Sequence, residues 1–91
     1  MSIHSLAHSE KEELGEVSIS EIFHDYPEGI SYFVYAEGQV FDADITPAGD
    51  SSARLTVRDN QRKNRGAIVV ENVSTFNEID ETAQFFADSW A

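Results

Sequence analysis

Residues 39–46 have the two-residue period of a β-strand, because apolar and polar side chains alternate from Phe41 to Thr46. Phe41, Ala43 and Ile45 fall on one face, and two aspartates fall on the other. A strand with one apolar and one acidic face belongs to a sheet that buries only one of its sides. The chain therefore needs neighbouring strands for this sheet and a second layer to cover its apolar face.

Three further segments have the composition or the alternation of strands. Residues 30–36 are rich in aromatic and β-branched side chains, and residues 53–58 alternate apolar residues with Arg or Thr. Residues 67–71 consist of four apolar residues followed by Glu71. The pair Glu37-Gly38 supplies a tight turn after the first of these segments. Four strands that follow one another through short connections predict an antiparallel sheet.

The C-terminal segment has the pattern of an amphipathic helix. Thr75 and Glu78 have the spacing of a capping box, which satisfies free backbone donors at a helix start. We predict a helix over residues 76–89 that packs on the sheet through an apolar stripe. The stripe consists of Phe76, Ile79, Ala83, Phe86 and Trp90. We expect Phe76, Ile79, Phe86 and Trp90 to be buried against Phe41, Ile45, Leu55 and Val57.

The first 29 residues carry competing signals. Ser18 and Glu21 are spaced as a capping box, although the neighbouring residues also alternate as a strand would. We predict a short helix at about 19–25, a weakly helical segment before it and a mobile stretch over residues 1–8. The fold class is therefore α+β. The prediction is one domain over residues 1–91, with a four-stranded antiparallel sheet, a C-terminal helix and a short helical N-terminal segment.

The charge distribution bears on partners. The chain has 17 acidic and 6 basic residues and a formal net charge of −11, and its first fifty residues contain only one basic residue, Lys11. Such a field repels nucleic acid and anionic membranes and favours encounter with basic protein surfaces. The chain has no cysteine, which excludes disulfides, thiolate catalysis and Cys-ligated zinc. Since residues 1–8 lack the pattern of a signal peptide, we expect a cytoplasmic protein with no membrane association.

Two clusters could in principle carry metal or catalytic chemistry. His4, His8 and Glu12 would share one face of a helix and could bind zinc, but histidines in a solvated terminus are the favoured interpretation. Asp42 and Asp44 share a strand face and could hold a divalent cation, but pairing of Asp44 with Arg54 across a hairpin explains them better. No nucleophile or phosphate-binding motif accompanies these residues. The sequence thus predicts a non-enzymatic protein with no catalytic residue, no metal site and no cofactor.

The segment 58–65 contains most of the basic residues. Flexible basic loops can contact phosphates, yet this one has no aromatic side chain on which a base could stack. The acidic remainder of the chain also opposes the approach of DNA. We interpret the segment as a solvated loop, with a contact to a partner or to RNA as the alternative, and expect no direct DNA binding.

The remaining acidic positions favour a protein partner. Glu78, Glu81 and Asp88 lie on the polar face of the predicted helix, which has no Lys or Arg to pair with them. With Asp42 and Asp44 they make the candidate partner-binding set. A small, cysteine-free, acidic α+β chain with carboxylates at exposed helix and strand positions resembles, as a class, the inhibitors encoded by phages and mobile elements, which include anti-CRISPR and DNA-mimic proteins.

The resemblance implies a stoichiometric binder or inhibitor in the host cell cytoplasm. Its acidic surface would engage a basic, nucleic-acid-binding surface of a host protein complex. Two alternatives stay open at this point. One is a small protein of another function adapted to high salt, and the other is a small metal-binding protein or enzyme.

Overall fold

The computed structural model describes residues 3–49, 52–59, 64–71 and 75–90. Three helices and five strands lie within these ranges. In chain order they are β1 (His4–Ser5), α1 (His8–Glu13), α2 (Ile19–Asp25), β2 (Ile30–Ala36), β3 (Gln39–Pro47), β4 (Ser52–Arg58), β5 (Asn64–Glu71) and α3 (Phe76–Trp90).

The α+β class and the C-terminal helix are confirmed, but the prediction of four antiparallel strands is wrong. The sheet has five strands in the order β1-β2-β3-β4-β5, and β1 is parallel to β2. The N–H of His4 donates to the carbonyl of Gly29 at 3.0 Å, and the N–H of Leu6 donates to that of Ser31 at 2.8 Å. Helices α1 and α2 form the crossover that a parallel pair requires. A two-residue strand is too short to show a period, so the alternation of side chains could not reveal it.

The hairpin between β2 and β3 uses the predicted two-residue turn. Glu37 has a φ of 52° and Gly38 a φ of 76°, which is the left-handed combination of a type I′ turn. This turn fixes the register, with Val34 opposite Phe41 and Tyr32 opposite Ala43. The apolar faces of the two strands therefore coincide.

The N-terminal helical segment begins where the sequence indicated. Ser18 is the N-cap of α2, and its Oγ accepts from the backbone N–H of Glu21 at 3.4 Å. The α2–β2 connection requires glycine at position 29, where φ is 99° and a Cβ would lie 2.5 Å from the carbonyl oxygen of Ile45. Helix α1 starts at His8, and Ala7 is its N-cap residue.

One hydrophobic core lies between the sheet and the helices. Strands β2, β3 and β4 contribute alternate side chains, α2 contributes Ile19 and Ile22, and α3 contributes four residues. Those four are Phe76, Ile79, Ala83 and Ala87. Phe86 and Trp90 pack against the core but are only partly buried, so their expected burial is confirmed only in part. The buried stripe of α3 runs through two alanines, and the larger Phe86 and Trp90 lie at its side with their rings stacked 5.2 Å apart.

The loop between α1 and α2 fixes the start of α3. The backbone N–H groups of Phe76 and Asn77 donate to the carbonyls of Val17 and Gly15 at 2.9 and 3.0 Å. These bonds satisfy donors that a helix start leaves free, and they join the N-terminal segment to the C-terminal helix. The start of α3 is therefore held by a part of the chain that is distant from it in sequence.

Candidate partner-binding surface

The outward side of α3 brings together three of the sequence-predicted residues. Glu78, Glu81 and Asp88 are all exposed. Together with Phe85 they are spaced three, four and three residues apart, so they lie on one side of the helix. Phe85 is 67% exposed, the highest value among the large hydrophobic residues that the structure describes as exposed. We call Glu78, Glu81, Phe85 and Asp88 the α3 acidic face.

The carboxylates of the α3 acidic face have no cationic partner among the described residues. Glu78 and Glu81 form no described ion pair. The Asp88 carboxylate accepts a hydrogen bond from the side-chain Nε2 of Gln84 at 3.2 Å. Gln84 also donates to the carbonyl of Tyr35 at 2.9 Å, which ties this side of the helix to β2. The face is therefore held in place while its charges remain available to a partner.

Asp80, on the other side of α3, differs from these residues because its charge is used within the fold. Its carboxylate lies 3.5 Å from the Lys11 ammonium, which also sits 4.9 Å from the centre of the Tyr32 ring. Burial raises the pKa of the Tyr32 hydroxyl far above its ordinary value of 10.0, and the nearby Asp80 carboxylate raises it further. Sequence reasoning missed this cluster because its members are far apart in the chain and follow no local pattern.

Asp42 and Asp44 lie on the opposite surface of the molecule. Both are on the side of the sheet that the helices leave uncovered, which we call the open sheet face. The Asp44 carboxylate accepts from the Arg58 guanidinium at 2.6 Å, whereas the sequence indicated Arg54 as its partner. The strand register explains the choice.

The register of β3 and β4 places Asp42 directly opposite Arg58. Asp44 lies opposite Thr56, which is the next pair on the same face of the sheet. Arg58 is therefore next to two carboxylates. Arg54 lies opposite Thr46 and is next to only one. Since Asp44 is paired and faces away from α3, the five predicted residues form two separate surfaces and not one.

The open sheet face also exposes aromatic residues that sequence reasoning did not single out. Phe33 is 52% exposed and Tyr35 is 64% exposed, while Tyr32, Val34 and Ala36 of the same strand are buried. The sequence does contain a signal for these exposed aromatic residues. Large apolar residues follow one another along β2, and an uninterrupted apolar run places such side chains on both faces of a sheet.

The histidines do not form the metal-binding helix face considered from the sequence. His4 is in β1, where its ring stacks on Tyr26 at 4.2 Å and its Nε2 lies 3.1 Å from a Glu10 carboxylate oxygen. His8 begins α1 and pairs with Glu12 at 3.1 Å. The backbone N–H of Ala7, and then His4, hold the pKa of Glu10 below its ordinary value. Among the described residues no group of three His, Asp or Glu side chains is arranged to bind a metal ion.

The basic segment 58–65 is only partly described. Arg58 ends β4 and forms the ion pair with Asp44, and β5 already begins at Asn64, within the predicted loop. Residues 60–63, which include Arg62 and Lys63, lie outside the described residues. The prediction that this segment does not bind DNA stays a prediction.

Comparison of the chain with protein-family models, curated proteins and solved structures gives no match. None of the described helices has both the length and the apolar composition needed to cross a membrane.

Proposed function

We propose that this protein is a non-enzymatic, stoichiometric binder and inhibitor. Its α3 acidic face engages a basic, nucleic-acid-binding surface of another protein, in the manner of the small inhibitors of phages and mobile elements. The observation that carries the proposal is the set of carboxylates on α3 that have no described cationic partner and that surround an exposed phenylalanine.

The dimensions of the face suit a nucleic-acid-binding surface. Glu78 and Asp88 are ten residues apart, which at the rise of an α-helix corresponds to about 15 Å. That length is roughly four base-pair steps of a duplex. Carboxylates along this length would occupy part of a surface whose basic side chains otherwise neutralise phosphates, and their interaction would steer association at low salt.

Phe85 adds a contact that charge alone does not provide. Aromatic residues at the centre of an interface often contribute most of the binding energy, with polar residues around them. We expect the partner surface to have an apolar recess bordered by Lys or Arg side chains. A purely electrostatic mimic would have no use for an exposed aromatic ring at this place.

The experiment compares two charge-reversed variants that carry the same net charge. In Glu78→Lys/Glu81→Lys the change falls on the α3 acidic face, whereas in Glu12→Lys/Glu13→Lys it falls on exposed residues of α1. Both variants and the wild type serve as bait in a host lysate, and captured proteins are identified by mass spectrometry. Binding of the purified partner is then measured by interferometry at several salt concentrations, with and without the nucleic acid that this partner binds.

We expect the captured partner to be a nucleic-acid-binding protein. Its nucleic acid should compete with the wild-type chain for binding to it. The α3 variant should associate more slowly and show a weaker salt dependence, while the α1 variant should retain most of the affinity. Equal binding by all three chains at low salt would reduce the acidic surface to a solubility feature. Capture of a partner that ignores nucleic acid would also overturn the proposal.

The alternatives from the sequence have their own measurements. A chain adapted to high salt needs molar salt to fold, because its self-repulsion is otherwise unscreened. A metal-binding protein or enzyme would show a raised Tm with its metal or ligand.

A further inference from the structure

Strand β5 forms one edge of the sheet. Its inner side pairs with β4 from Ser52–Glu71 to Arg58–Asn64, and no described strand pairs with its outer side. An edge of this kind presents a row of free N–H and C=O groups, which is a template for another extended strand. The opposite edge, β1, has two residues and offers no comparable length.

Over residues 66–70 the β5 edge also lacks the usual protection against strand pairing. Exposed edges are normally interrupted by charged residues, proline or bulges. The register shift between β4 and β5 falls at Val57/Arg58, near the start of β5, so the pairing from Gly66 to Glu71 is regular. Residues 66–70 contain no charge and no proline, and Ile68 and Val69 are 40% and 44% exposed on the two faces of the strand.

The charge around this edge differs from that of the whole chain. Residues 64–71 include one basic and one acidic residue, whereas the whole chain has a formal net charge of −11. Two copies of so acidic a protein repel each other over most of their surface. The β5 edge is a place where they can approach with little local repulsion, and this neutrality argues against a strongly basic partner for the same edge.

We propose that β5 pairs antiparallel with β5 of a second copy of this chain, which joins the two five-stranded sheets into one. The proposal uses none of the carboxylates of the α3 acidic face and does not depend on the proposed function. A two-fold axis normal to the sheet keeps the helix-covered faces of both copies on the same side. Side chains directly opposite each other must then share a face, so the two residue numbers in each pair add up to an even number.

The packing of Trp90 favours one of the registers that meet this even-sum condition. Its indole lies on the helix-covered side of Gly66, where an added Cβ would approach it to 2.7 Å. If Ile68 lies on the two-fold axis, Gly66 faces Val70 of the second copy. The indole then lies beside that valine, and the apolar layer of Trp90, Ile68 and Val70 continues across the axis.

The first test measures the mass of the wild-type chain by sedimentation over a wide concentration range. We expect a dimer whose dissociation constant rises about 100-fold in Ile68→Lys, since two ammonium groups then meet on the axis and two apolar side chains are lost. Phe85→Lys makes the same kind of change at an exposed position away from β5 and should leave dimerisation unchanged. Circular dichroism confirms that both variants are folded.

The second test reads the register, and the absence of cysteine in the natural sequence makes it direct. In Ile68→Cys the two thiols would meet on the axis and form an interchain disulfide under mild oxidation. In Ala67→Cys the corresponding Cα atoms would be about 8 Å apart, beyond the reach of a disulfide.

Three results would overturn the proposal. They are a monomer at every concentration, a dimer that is unaffected by Ile68→Lys, and equal crosslinking of the two cysteine variants. If β5 instead pairs with an extended segment of some other protein, the isolated chain is a monomer at every concentration, which is the first of these results.

Discussion

The three phenylalanines of α3 allow a graded test of the packing, because they occur in one helix with very different burial. Phe76 is 1% exposed, Phe86 is partly buried and Phe85 is 67% exposed. Substituting each by alanine makes the same chemical change in three environments. The free energy of unfolding should therefore decrease in the order of burial.

The magnitudes follow from the environment of each ring. Phe76 packs in the core with its ring 5.1 Å from that of Tyr32, so Phe76→Ala should cost about 3–5 kcal/mol. Phe86→Ala loses partial burial and the stacking on Trp90, which together come to about 1.5–2.5 kcal/mol. For Phe85 the buried third of the ring contributes about 0.6 kcal/mol, which the higher helix propensity of alanine offsets to within ~0.5 kcal/mol.

The assay is urea unfolding followed by circular dichroism, which reports all three variants on one scale. Small domains have total stabilities of about 5–15 kcal/mol, so Phe76→Ala should shift the midpoint strongly or leave the chain unfolded. A Phe85→Ala variant as destabilised as Phe76→Ala would refute the orientation of α3. So would a Phe76→Ala variant with an unchanged midpoint.

Two further changes probe the turn and the buried tyrosine. Glu37→Asn should raise the free energy of unfolding by about 1 kcal/mol, because asparagine tolerates the positive φ at this turn position better than glutamate. An unchanged urea midpoint in this variant would contradict the assigned turn type. The stability of the wild type should fall by about 1.4 kcal/mol per pH unit above pH 10, because the unfolded chain then ionises Tyr32 while the fold, in which the pKa of this hydroxyl is raised, keeps it protonated. Below pH 10 Tyr32 is protonated in both the folded and the unfolded state, so it adds no pH dependence to the stability. The stability of Tyr32→Phe should therefore be less pH-sensitive than that of the wild type only in the alkaline range. An identical dependence of stability on alkaline pH in the two proteins would be evidence against the raised pKa of Tyr32.

The sequence predicted the elements whose signal is local. The alternation in residues 39–46, the Glu37-Gly38 turn and the amphipathic helix that begins at Phe76 each follow from a periodic or turn-specific pattern, and the structure contains all three. The hidden strand β1 has no pattern of its own. It forms because the chain returns beside β2, where the backbone of residues 4–6 finds hydrogen-bond partners.

The candidate site was predicted less well, because it depends on pairing between distant residues. The sequence could not decide between Arg54 and Arg58 as the partner of Asp44, because the register places Asp44 opposite Thr56 and diagonal to both arginines, and a register cannot be read from composition. The separation of Asp42 and Asp44 from the α3 residues follows from which face of the sheet the helix covers. Alternation along β3 shows that two faces exist but does not say where a distant helix will lie.

Positions that the fold uses and positions that it leaves free separate clearly on α3. The inner side is occupied by Phe76 and by alanines that allow close approach to the sheet. On the outer side, Glu78 and Glu81 are like charges three residues apart, which weakly destabilises a helix, and Phe85 exposes apolar area to water. Neither feature contributes to packing. A partner surface with basic groups around an apolar recess, as we propose, would relieve both costs at once, whereas a role in solubility would relieve neither.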